Sequence, residues 1–208
     1  MVAIVDYGVG NLFSLESSFA AIGAEVTVTA DPAVLKAANQ IILPGVGAFE
    51  DAAKKLRATG LDKVLKELTA AGKPLMGICL GMQMLFEKSY EYGEHQGLGL
   101  IPGNVVPIAD VIPADLKIPH IGWNALHIQR DCPLWRYIQP EDCVYFVHSY
   151  YAAQCDDYVI ATSEYGADLT AAVANKNVYG CQFHPEKSGT VGLNILRAFV
   201  ELKEEKQC

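Results

Sequence analysis

Pro74-Leu75-Met76-Gly77-Ile78-Cys79-Leu80-Gly81 is the stretch of this 208-residue chain whose reading decides the fold. The apolar run Leu75 to Ile78 predicts a buried strand, and Leu80 to Phe86 predicts an apolar helix straight after it. Between them a thiol sits flanked by glycines, where the missing Cβ atoms permit a turn too sharp for other residues. Strand, Gly-x-Cys-x-Gly, helix is the nucleophile-elbow arrangement, which aims the side chain outward at the carboxyl end of a strand. Gly81 lets the helix pack close to the strand, and the N-terminus of that helix favours a thiolate. Chance alone supplies about 0.04 such matches at this composition. The alternative for Cys79 is a small hydrophobe buried in a core.

The same pattern extends outward on both sides. Val2-Ala3-Ile4-Val5 predicts a first strand, ending in the glycine loop Asp6-Tyr7-Gly8-Val9-Gly10-Asn11. Apolar residues at 12, 15, 19 and 22 have a helical period, and Gly23 closes that helix. Val26 to Thr29 and Gln40 to Leu43 predict further strands, the latter ending at Pro44-Gly45-Val46-Gly47. Leu56 to Leu68 predicts one or two amphipathic helices. Strands alternating with helices, and strands apolar on both faces, predict an α/β fold with a mostly parallel central sheet covered on both sides.

After Leu98 the helical period fades. Val105-Val106, Ala125 to Ile128, Val144 to Val147 and Val159 to Thr162 predict strands, read as antiparallel additions to one mixed sheet. Ser188 to Lys203 predicts a final helix with Ser188 as its N-cap. No repeat, low-complexity tract or linker interrupts the chain, so residues 1–208 are expected to form one domain.

A thiol nucleophile needs a base, and the base needs a group that orients it. His184-Pro185-Glu186 offers both. If Pro185 keeps this segment extended, the imidazole and carboxylate point to one side. Glu186 then accepts the Nδ1–H of His184 and leaves Nε2 to serve Cys79. A surface loop with an incidental histidine is the alternative. An oxyanion needs backbone donors, for which the N–H of Leu80 and the Pro44–Gly47 turn are candidates; an ordinary Pro-Gly turn is the other reading of the latter.

The net charge of −8 argues against nucleic acid or an anionic membrane as the main partner. No segment approaches the roughly 18 apolar residues of a membrane-spanning helix. The N-terminus reaches Asp6 without a basic region, so no signal peptide is expected. Cysteines 79, 132, 143, 155, 181 and 208 form no CxxC pair. A cytoplasmic location with reduced thiols, most of them in the core, is the expectation. The five histidines have no metal-ligand spacing, so no metal is expected. The Gly8-Val9-Gly10 loop has Phe13 where a third glycine belongs, which rejects a dinucleotide cofactor.

Together these motifs resemble the triad-type (class I) glutamine amidotransferases. Asp6-Tyr7-Gly8-x-Gly10-Asn11, Pro44-Gly45-Val46-Gly47-Ala48-Phe49 and Gly77-Ile78-Cys79-Leu80-Gly81-Met82-Gln83 carry the resemblance in the first half. Pro119-His120-Ile121-Gly122-Trp123-Asn124, Phe146-Val147-His148-Ser149-Tyr150 and Gln182-Phe183-His184-Pro185-Glu186-Lys187-Ser188 carry it in the second. The Pro-Gly-Val-Gly and Gly-Trp-Asn blocks narrow it to the glutaminase subunits of imidazole glycerol phosphate synthases. The resemblance implies that Cys79 attacks the side-chain amide of glutamine, that His184 and Glu186 complete a triad, and that no cofactor takes part. It assigns the oxyanion hole to Val46 and Leu80, with the Pro44–Gly47 segment reorienting to complete it. It assigns glutamine binding to Gly45, Gly47, Gln83 and the strand His148-Ser149-Tyr150. It also implies a (β/α)8-barrel cyclase partner that receives the ammonia, with Asn11, Trp123 and Lys187 at the interface. Ordinary core packing is the alternative for Trp123. A glutaminase subunit of another synthase, or a non-catalytic relative, is the rival for the whole chain.

Overall fold

A computed structural model of the chain describes residues 1–202. The first half alternates strands and helices: β1 (Val2–Val5), α1 (Leu12–Ala21), β2 (Val26–Thr29), α2 (Pro32–Ala37) and β3 (Gln40–Leu43). Then come α3 (Phe49–Ala58), α4 (Leu61–Ala70), β4 (Leu75–Ile78) and the short α5 (Leu80–Gln83). Strands dominate the second half, from β5 (Lys88–Ser89), β6 (His95–Gln96) and β7 (Asn104–Pro107) to β8 (His120–Ala125) and β9 (His127–Ile128). β10 (Cys143–His148), β11 (Tyr150–Ala153), β12 (Val159–Glu164), β13 (Asp168–Asn175), β14 (Val178–Cys181) and α6 (Gly189–Val200) complete the described chain.

The main sheet has eight strands in the order β2-β1-β3-β4-β14-β13-β12-β9. From β2 to β14 the neighbours are parallel, and from β14 to β9 they are antiparallel. The expected α/β class and its mixed sheet are therefore present. Alternation across the pleat divides the core in two. Val2 and Ile4 of β1 pack with Leu15, Phe19 and Phe199, on the side of α1 and α6. Ala3 and Val5 pack with Leu35, Leu56 and Leu65, on the side of α2, α3 and α4. Each fully buried Leu, Ile or Phe contributes roughly 1.5–3 kcal/mol, which is why these strands read as continuous apolar runs. Among the described residues, no helix is long and apolar enough to cross a membrane.

Several expectations need correction. The antiparallel additions do not all join the main sheet. β10 and β8 form a separate two-stranded sheet, and β11-β7-β5-β6 form another of four. The strand expected over Ala125 to Ile128 splits at Leu126, whose N–H goes to the Asp142 carbonyl instead of a sheet partner. The helix expected to reach Phe86 stops at Gln83. Leu85 and Phe86 donate to the Met82 and Gln83 carbonyls only three residues back, at 3.0 and 3.2 Å, so the last turn tightens and the α-helical pattern ends. Ser188 occupies the N-cap position of α6, yet its side chain makes no capping bond. β13 was not anticipated, nor was α2, which Asp31 caps by accepting from the Ala33 N–H at 2.8 Å. Cys79, Cys155 and Cys181 are free and buried, Cys132 is also buried, and Cys143 is free but exposed. Lys203 and Cys208 lie outside the described residues.

Candidate active site

Cys79 follows β4 directly, with φ 55° and ψ −113°. A positive φ at a non-glycine residue costs roughly 1–3 kcal/mol and is held by the surrounding structure. The Cys79 N–H is pinned to the Cys181 carbonyl at 2.8 Å, which anchors the turn to β14. Three glycines then let backbone meet backbone. A Cβ on Gly81 would lie 1.9 Å from the Leu43 oxygen, one on Gly77 would lie 2.5 Å from the Gly81 oxygen, and one on Gly45 would lie 2.6 Å from the Gly81 nitrogen. The elbow is thus wedged between the ends of β3 and β4. With only four residues, α5 supplies its first N–H groups but little of the macrodipole expected of a longer helix.

His184 sits just beyond β14 and is 3% exposed. Its N–H donates to the Tyr145 carbonyl at 2.9 Å. The Ser188 hydroxyl donates to the His184 carbonyl at 2.7 Å and accepts from the Tyr145 N–H at 2.9 Å. Nδ1 of His184 lies 2.7 Å from Glu186 Oε1, and both side chains are almost wholly buried. A carboxylate only accepts, so Nδ1 carries the proton and the other ring nitrogen is left for Cys79. Pro185–Lys187 forms a 3₁₀ turn, so the pair meets through a tight turn and not through the extended segment expected. Burial pulls the His184 pKa down, but hydrogen bonds to Cys79 and Glu186, and their charge, outweigh it and raise the pKa to about 9. The second Glu186 oxygen, Oε2, is buried without a hydrogen-bond partner among the described residues. The arrangement can hold a thiolate beside an imidazolium that is itself oriented by a carboxylate.

Cys79 and His184 open onto a cavity of about 320 Å³. Leu80, Val46 and Gly47 line the same cavity. Their N–H groups donate to no described residue. Val46 is 43% exposed, and Gly47 has φ +90°. Gln83, His148, Ser149 and Tyr150 also line the cavity, whereas Gly45 is buried beneath Leu80 and Gly81. Nδ1 of His148 donates to the Tyr150 carbonyl at 2.8 Å, and its Nε2 lies 3.1 Å from Nδ1 of His120. Burial is the main cause that lowers the His148 pKa to about 4, and it lowers that of His120 too.

Of the expected interface residues, Lys187 lines the cavity rim, with its ammonium 5.7 Å from the centre of the Tyr145 ring. Trp123 is 62% exposed, which excludes core packing. Asn11 is half-buried at the start of α1 and makes no side-chain cap.

Two features of the site, one lining the cavity and one behind it, escaped the sequence reading. Glu91 lines the cavity and accepts from the Phe49 N–H at 2.6 Å, bridging α3 to a remote loop; nothing local in Tyr90-Glu91-Tyr92 signals this. Tyr7 donates to the Pro44 carbonyl at 2.7 Å and so steadies the Pro44–Gly47 turn. Burial, and secondarily the charge of Cys79, push the Tyr7 hydroxyl well above its ordinary pKa, so it stays a donor. Its place in the Asp6-Tyr7-Gly8 block was the available signal.

A nucleophile elbow at the end of a parallel strand, with a His-Glu pair delivered by the adjacent strand, defines a class. The chain belongs to the class-I glutamine amidotransferase family, whose profile, "Glutamine amidotransferase class-I", matches residues 3–202. Among curated proteins it is 47% identical over 202 residues to the imidazole glycerol phosphate synthase subunit HisH of Listeria monocytogenes, covering 97% of this chain and 96% of that one. The subunits of the same name from Lactococcus lactis and Sulfurimonas denitrificans are also 47% identical, covering 96% and 99% of this chain and 98% and 100% of theirs. Among solved structures, a crystal structure described as a glutamine amidotransferase aligns with TM-score 0.75 at 20% identity, covering 97% of this chain and 98% of that one. PurLQS from Thermotoga maritima aligns with TM-score 0.74 at 19% identity, covering 96% of each. These two likenesses speak for the fold alone.

Proposed function

We propose that this chain is the glutaminase subunit of an imidazole glycerol phosphate synthase. It hydrolyses glutamine to glutamate and ammonia in the cytoplasm, as one domain, and passes the ammonia to a (β/α)8-barrel cyclase. The observation that carries the reading is the Cys79–His184–Glu186 constellation, with Cys79 and His184 opening onto one cavity and Glu186 buried behind the imidazole. The likeness to the HisH subunits over nearly the whole chain supports the choice of synthase.

In the reaction, Cys79 Sγ attacks the side-chain carbonyl carbon of glutamine. The oxygen takes up negative charge facing the N–H groups of Leu80 and of the Val46 turn. The His184 imidazolium gives its proton to the departing nitrogen, so the C–N bond breaks, ammonia leaves and a thioester remains. His184 then takes a proton from water, whose oxygen attacks the thioester and releases glutamate. Glu186 holds His184 in the required tautomer throughout. The Glu91 carboxylate suits the α-ammonium of glutamine, and the backbone of Ser149 and Tyr150 suits its other α-groups. Asn11, Trp123 and Lys187 belong to the surface that meets the cyclase, with Trp123 as its aromatic anchor.

The test is ammonia release from glutamine, with and without the cyclase and its nucleotide ligand. Slow release alone, strong stimulation by both, and none from Cys79→Ala are expected. Undiminished release from Cys79→Ala, or full activity without any partner, would overturn the assignment. Supply of free ammonium salt should bypass this chain altogether.

A further inference from the structure

Gln182 makes a contact that the triad does not account for. It is fully buried between β14 and His184, and its own N–H is fixed to the Ala171 carbonyl of β13 at 2.8 Å. Its side-chain nitrogen lies 3.9 Å from Cys79 Sγ. The orientation of that amide is dictated by a chain of partners. The Tyr150 carbonyl can only accept, so the group 3.1 Å from it must be the NH2 of Gln83. The same NH2 lies 3.0 Å from the Gln182 oxygen, which must therefore be the acceptor. The Gln182 NH2 is then left facing the sulfur and cannot turn over without breaking the chain.

We propose that Gln182 is a second hydrogen-bond donor to the Cys79 thiolate, and that Gln83 and the Tyr150 carbonyl hold it in the donating orientation. A donor to a charged acceptor forms a stronger bond than one to a neutral thiol, so it favours the thiolate over the thiol. His184 approaches the sulfur with its charge, while Gln182 approaches with a fixed dipole that no titration removes. The chain also begins on the strand proposed to hold the α-groups of glutamine, so movement of Tyr150 reaches the nucleophile through two amides. Gln83 thereby gains a task besides contact with substrate.

This inference rests on Cys79 being the nucleophile, so its test uses no glutamine. The full chain is alkylated with iodoacetamide across pH, and modification is followed on the Cys79 peptide by mass spectrometry, because Cys143 is also free and exposed. Gln182→Leu should slow Cys79 alkylation at pH 7 about tenfold, the scale of one charge-assisted bond, and move the half-maximal pH upward. Gln182→Glu keeps the shape but sets a carboxylate beside the sulfur, and should slow it further. A merely space-filling role would leave both curves on that of the wild type, and folded variants that behave so overturn the proposal. If the variants fail to fold, the wild-type protein decides. The side-chain amide resonances of Gln182 should shift along the pH curve of Cys79 alkylation, and resonances that stay flat across it overturn the proposal. Intact alkylation chemistry with no ammonia release would instead count against the substrate assignment.

Discussion

The exposed indole of Trp123 packs on the Tyr145 ring, with centroids 4.8 Å apart, and the Tyr145 carbonyl accepts the N–H of His184. A surface aromatic is thus two contacts from the candidate catalytic imidazole. An exposed side chain contributes little to folding, so Trp123→Ala should change stability by less than about 1 kcal/mol. As an anchor on the cyclase it should cost about 2 kcal/mol of binding, roughly a thirtyfold weaker Kd by calorimetry. A wild-type Kd would remove Trp123 from the interface.

The glycine wedge under the elbow makes a prediction about packing. A Cβ on Gly81 meets a backbone oxygen 1.9 Å away, which cannot swing aside as a side chain could. Gly81→Ala should cost at least about 3 kcal/mol by overpacking. Gly23, at φ +74°, has open space around its Cβ position. There alanine meets only backbone strain, and about 1 kcal/mol is expected. Urea denaturation of the two variants should rank them in this order, and equal midpoints would contradict the wedge.

The parallel sheet was legible because β1, β3 and β4 are buried on both faces and therefore apolar at every position but Gln40 and Gly77. β13 was not, because its Leu169-Thr170-Ala171-Ala172-Val173-Ala174 run is small where the sheet is crowded, and alanine carries no strand signal. The end of α5 was invisible locally, since apolar residues run on to Phe86 while the backbone after Met82 tightens to three-residue bonds. In the candidate site, the two motifs announced Cys79, His184 and Glu186 by residue type. They could not announce Gln83 beside Gln182, a contact across 99 residues of chain. Nor could they foresee a 3₁₀ turn at Pro185, where a proline at the first position suits a helical turn as well as an extended one.

The strained backbone of Cys79 separates activity from stability. In an ordinary helix or strand, glycine is about 0.5–1 kcal/mol worse than alanine. At φ 55° that penalty is offset, because alanine keeps the strain and glycine releases it. Cys79→Gly should therefore melt no lower than Cys79→Ala, while both lose glutamine hydrolysis. A Tm for the glycine variant several degrees below the alanine one would show that the elbow is relaxed.

The buried imidazoles set opposing pH dependences. His148 is lowered to about 4, mainly by burial. Between the ordinary value of about 6.5 and this one, the unfolded chain binds a proton that the folded chain refuses. Stability should therefore fall as pH drops through that window, by about 3 kcal/mol at its lower end for this group. His184, raised to about 9, works the other way. Its contribution is complete below about 6.5 and is lost as pH rises toward 9. Together they place maximal stability near pH 6.5, measurable by urea denaturation across pH 4 to 9. Replacing His148 with Gln removes the titrating ring and should flatten the acid side alone. An acid limb of unchanged steepness in that variant would assign the loss to other groups.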